Sequence, residues 1–122
     1  MPTEPAPVTL AEVVRRAADV VDPDDDDPIV GDFEQAFEDA DEPVRAIDDV
    51  EERVGTVLSE LDPAVNNGSL SMVGAITTYL SYRRDEFNTD PEELIRLAAR
   101  SEWKGDPPDV VTAWLADRGV EL

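Results

Sequence analysis

Carboxylates are the side chains with the most chemistry to offer in this chain. In VDPDDDDPIVGDFE, Asp22, Asp24 and Asp26 stand at the first, third and fifth positions of a calcium-loop spacing. The pattern then fails. Its sixth position, where glycine makes the turn, is Asp27, and its twelfth, where a bidentate glutamate closes the shell, is Phe33. The run reads as a solvated acidic loop. Asp48-Asp49 and Glu51-Glu52 also place carboxylates three residues apart, but on the polar side of an amphipathic helix, where no pocket drives their pKa values apart for acid–base work. The chain has no His and no Cys, so it lacks the commonest general base, the commonest transition-metal ligand and any thiolate. A serine nucleophile would have only Lys104 as base. A phosphate-binding loop would have to be NNGSLS, which has one Gly and no Lys. No catalytic residue, cofactor or metal ligand is assigned, and the chain is not expected to be an enzyme.

Aromatic and cationic residues remain. No acid occurs from Pro63 to Arg84, and that stretch closes on Tyr79, Tyr82, Arg83 and Arg84 within two helical turns. Tyr and Arg are enriched where binding energy concentrates, so these four are the candidate partner-contact residues, for another protein or a second copy. The gap in acids also has a plainer reading, a central helix wrapped by others, where an unpaired acid would cost several kcal/mol. Arg96, Arg100 and Lys104 fall at i, i+4 and i+8 as a secondary basic stripe; they are equally placed to pair with Glu92 and Glu93.

The charge balance bears on all of this. Thirty acids stand against ten bases in 122 residues, a net charge of −20, and nine of the ten bases are arginine. Self-repulsion on that scale disfavours a compact state unless salt screens it. The acid-rich, lysine-poor, cysteine-free composition resembles that of cytoplasmic proteins from salt-accumulating halophilic archaea. A DNA mimic or dedicated binder of basic partners would gather its acids on one face, whereas here they are scattered over every helix but the acid-free one. There is no run of 18 apolar residues to span a membrane, and MPTEPAPVTLAEVV lacks the pattern of a secretory signal. A cytoplasmic location is expected.

Several elements must position these residues. Residues 1–8, with three prolines, read as a flexible arm, and 9–122 as a single helical domain with an acidic loop at 22–28. Thr9 and Glu12 form a capping box ahead of a helix that ends at Asp22-Pro23. A short helix is predicted within 29–40, with Asp32 as its cap. Pro43 opens a longer one to Leu61, interrupted only by Gly55, which permits a close helix crossing or merely weakens the turn. An acid-free helix over about 69–87 is apolar on nearly all sides and so central, with Arg83 and Arg84 in its last turn. Thr89 or Asp90, with Pro91 and Glu92-Glu93, starts the next helix, and the last follows Pro107-Pro108 and stops at Gly119. No strand alternation and no repeat period is visible. The predicted fold is all-α, five or six short helices around the central one. Its expected role is that of a non-catalytic interaction or regulatory module with a protein partner or self-association. The alternative is a nucleic-acid-associated regulator using the helix pair 90–118. Direct nucleic-acid binding is not the favoured reading, because that pair's second helix offers Arg118 alone against Asp109 and Asp117.

Overall fold

The computed structural model describes residues 8–64 and 66–121, with Arg45 by its backbone only. The predicted arm falls on residues 1–7, outside the described residues, and on Val8, whose carbonyl accepts the Val44 N–H at 2.9 Å. Six α-helices follow, with no strand among the described residues.

Helix α1 (Leu10–Val21) starts where its capping box indicates: the Thr9 hydroxyl accepts the Glu12 N–H at 3.2 Å. Its face of Leu10, Val13, Val14, Ala17, Val20 and Val21 is buried. Helix α2 (Pro28–Ala36) begins earlier than expected. Its cap is Asp27, which accepts the Ile29 N–H at 3.2 Å, not Asp32. Pro28 occupies the first turn, where its missing N–H costs nothing.

The expected helix from Pro43 divides. Val44–Ala46 is one 3-10 turn, and α3 (Val50–Leu61) starts only after Asp49. The segment just before the 3-10 turn is tied to the start of α1. The first N–H groups of α1 have no acceptor within their own helix, and the carbonyls of Glu42 and Ala40 supply one each, to Leu10 at 3.1 Å and Ala11 at 3.0 Å.

Helix α4 (Gly68–Tyr82) is the centre, packing on α1, α2, α3, on α5 (Pro91–Trp103) and on α6 (Asp109–Arg118). Two of its three buried Ser and Thr hydroxyls return to carbonyls one turn back, Thr77 to Val73 at 2.8 Å and Ser81 to Thr77 at 2.7 Å. It ends at Tyr82, sooner than the 69–87 expected. Arg83 leaves the helical region at φ −121° and ψ 65°, and Arg84–Glu86 forms a 3-10 turn, so both arginines lie beyond the last turn. Two glycines let neighbours close in on α4. A Cβ at Gly74 would lie 2.7 Å from Leu58 Cδ1 of α3, and one at Gly68 would overlap the Val110 carbonyl of α6 and sit 2.8 Å from Trp114 Cβ.

A repeated device does exist, though no sequence period announces it. Asp22-Pro23 follows α1 and Asp62-Pro63 follows α3. The Asp22 carboxylate accepts the N–H groups of Asp26 (3.2 Å) and Asp27 (2.9 Å); that of Asp62 accepts those of Asn66 (3.0 Å) and Asn67 (2.9 Å). Asp27 then caps α2 and Asn67 caps α4. The Ser69 hydroxyl, 2.8 Å from Asp27 Oδ2 and 2.7 Å from Asn67 Oδ1, ties the two loops together.

Candidate protein-interaction groove

Helices α3 and α5 both lie on α4, and the packing of the bundle runs through α4 rather than between the two. Between them a groove stays open. It consists of a larger cleft of about 570 Å³ and a smaller cleft of about 330 Å³, which share Glu51, Ala75, Thr78, Ser101 and Glu102 as lining. The floor is the α4 stripe Ser71, Gly74, Ala75 and Thr78, at helical spacings of three and four. Glu51, Val54, Gly55 and Leu58 form the α3 wall, and Ser101, Glu102 and Trp103 the α5 wall. Tyr82 and Arg83 close one end.

Tyr82 is the one large apolar side chain left exposed among the described residues, at 61%. Tyr79, expected beside it, is buried at 9% and belongs mainly to the core, although it lines the smaller cleft. Burial, and then the charge of Glu86, pushes its phenol up from the ordinary value. Arg83 is held by Asp85 and Glu86, each at 3.4 Å, and Arg84 donates to the Ser81 carbonyl at 3.2 Å. The four candidate contact residues therefore separate into one exposed ring, one core ring and two cations already engaged locally.

The basic stripe also comes apart. Arg96 is bound to Glu93 at 2.9 Å and to the Glu121 carbonyl at 2.8 Å. Arg100 is exposed, and Lys104 is the left-handed C-cap of α5 at φ 53°. The acidic loop is spent on itself: burial pushes the Asp22 carboxyl up, but the N–H groups of Asp27 and Asp26 outweigh it and hold the carboxyl below the ordinary range. Asp26, sharing a hydrogen bond with Asp22, is pushed up.

Glu51 and Glu102 are what the sequence left unseen. They stand on opposite walls of the groove, and neither has a side-chain hydrogen bond or ion pair among the described residues. Partial loss of solvent against the wall, and then repulsion from Glu51, raises the pKa of Glu102. The setting of Gly55 was equally unseen. A Cβ there would meet nothing within 4 Å, so it serves no close crossing. The stripe Ser71, Gly74, Ala75, Thr78 was the one sequence signal for a floor, since small and polar residues recur there at helical spacing on an otherwise apolar helix. No protein-family model, curated protein or solved structure matches the chain.

Proposed function

We propose that this chain is a non-catalytic protein-interaction or regulatory module of a salt-rich cytoplasm, and that the groove between α3 and α5 is its contact face. One observation carries the reading: an exposed tyrosine stands at the end of an open groove whose floor is the central helix of the fold. Exposed aromatic rings beside a concave surface are the usual anchors of protein recognition. The absence of His and Cys supports a non-catalytic role, and the scattering of thirty acids supports the salt-rich setting. The nucleic-acid alternative has less behind it, because Arg96 is already engaged and only Arg100 and Lys104 of its stripe stand clear.

The test is a tagged pull-down from the native host in molar KCl, with wild type beside Tyr82→Asp. A protein captured in stoichiometric amount by wild type and lost with Tyr82→Asp, at unchanged far-UV helicity, is the expected result. Capture that survives Tyr82→Asp sinks the groove as contact face. Capture of untagged copies alone makes the partner a second copy of the chain.

A further inference from the structure

Resting on that reading, we infer that the groove takes a basic amphipathic helix of a partner protein, which seats a lysine or arginine between Glu51 and Glu102 and brings its backbone closest at Gly55.

Shape is the first support. The floor runs from Ser71 to Tyr82 on α4, roughly 16 Å at 1.5 Å per residue, which matches about three turns of a helix laid along it. Two helices flanking a third leave the concave seat into which an apolar helical face packs.

Gly55 is the second. A glycine inside a helix costs about 1 kcal/mol against alanine, and the fold has no use for this one. It has no left-handed backbone and no neighbour that a Cβ would strike. Gly68 and Gly74 are different, since each admits a helix of this same chain. A side chain at position 55 would stand in the groove, so its absence leaves room for an incoming backbone.

Charge decides the occupant. Glu51 and Glu102 repel one another across the groove and, among the described residues, lack a cation, while the one cation lining it there, Arg83, is taken by Asp85 and Glu86. A second copy of a chain with a net charge of −20 would add to that repulsion, whereas a lysine or arginine would relieve it. The exposed Tyr82 ring at the exit offers an apolar or cation–π contact to the next residue along.

The experiment uses the full chain and a labelled synthetic helical peptide with leucines at i, i+3 and i+4 spacing and lysines elsewhere; the same peptide with glutamates for lysines is the control. Fluorescence anisotropy at a fixed KCl concentration reads the affinity. Expected are one-to-one binding of the lysine peptide alone, and a loss of about tenfold or more for Glu51→Gln with Glu102→Gln. Gly55→Leu, which fills the groove, gives a similar loss. Two variants guard against diffuse attraction. Asp24→Asn with Asp25→Asn removes the same charge from the acidic loop, and Gly31→Leu fills an equally open glycine on α2, outside the groove; both leave binding unchanged. Equal loss from the loop pair, no loss from Gly55→Leu, or binding of the glutamate peptide each overturns the inference. If it falls while Tyr82→Asp still abolishes capture in the pull-down, the groove docks a partner of other chemistry and the interaction reading stands. If capture also survives Tyr82→Asp, both readings fall.

Discussion

The guanidinium of Arg118, on the last helix, donates to the carbonyl of Val21, at the end of the first, at 2.6 Å, and also to that of Val20 at 2.8 Å. Those carbonyls are among the four at a helix end that lack an intrahelical donor. The same guanidinium lies 4.7 Å over the Trp114 ring. Arginine suits this place because one planar fork reaches two acceptors and stacks on an aromatic face, which an ammonium cannot do. Arg118→Ala is expected to lower unfolding free energy by about 1–3 kcal/mol, in the range of hydrogen bonds to charged groups. Arg118→Lys should recover less than half of that. Urea unfolding followed by circular dichroism would read both, and full recovery by lysine would show that charge alone matters there.

Three helical glycines should respond differently to alanine. Gly55→Ala meets open space and should stabilise by about 0.5–1 kcal/mol. Gly74→Ala forces Leu58 aside, and Gly68→Ala presses on the Val110 backbone, which has no flexible end to move. Overpacking of this kind costs about 1–3 kcal/mol, with Gly68 the worse. A stabilised Gly68→Ala would mean that α4 and α6 are not packed this closely in solution.

What the sequence could and could not announce follows from the range of each determinant. The helix start at Thr9 was legible, and that of α5 to within Thr89 or Asp90, because caps act within three residues; the cap of α5 is Asp90. The central place of α4 was legible because burial excludes acids. The tie between residues 40–44 and residues 8–11 was not, since it joins N–H groups and carbonyls far apart in the chain. The groove was hidden for the same reason. Its walls come from α3 and α5, and nothing local couples Glu51 to Glu102 or tells Tyr82 from Tyr79.

The two aspartate-headed loops offer a paired test. Asp62→Ala removes the acceptor of two N–H groups at 3.0 and 2.9 Å and should cost about 1–2 kcal/mol. Asp22→Ala removes the same bonds but also relieves repulsion among Asp24, Asp25, Asp26 and Asp27, so its cost should be smaller and should shrink further in dilute salt. Denaturant midpoints at two KCl concentrations would separate the variants. An Asp22→Ala cost equal to that of Asp62→Ala at both would remove the repulsion from the account.

Salt should govern the whole chain. At a net charge of −20, compaction depends on screening, and the Debye length falls from about 10 Å at 0.1 M to about 3 Å at 1 M. Thermal unfolding in molar KCl should occur well above that in dilute buffer, with helicity partly lost in the latter. An unfolding temperature indifferent to KCl would contradict the salt-rich setting.

Glu102 provides a pH test of the groove itself. Its pKa is raised by partial desolvation first and by Glu51 second, and it sits near the carbonyl end of α5, where a negative charge is also disfavoured. Tyr79 and Arg83, which also line the groove, are both pushed up from their ordinary values, so neither changes charge in this range. A carboxyl whose pKa is higher in the fold than in the unfolded chain destabilises the fold once it ionises. That cost is absent where both states are protonated, grows as pH rises through the unfolded value of about 4.3, and is complete above the folded value. Glu102→Gln should therefore stabilise at neutral pH, by less than about 1 kcal/mol because the side chain is largely exposed. The gain should vanish below the ordinary glutamate range, and Glu51→Gln should reproduce a fraction of it. Urea unfolding of the three chains across that range would check the sign. A gain for Glu102→Gln that persists unchanged into acid would show that the carboxylate carries no charge penalty in the groove, and the unmet demand for a cation there would disappear with it.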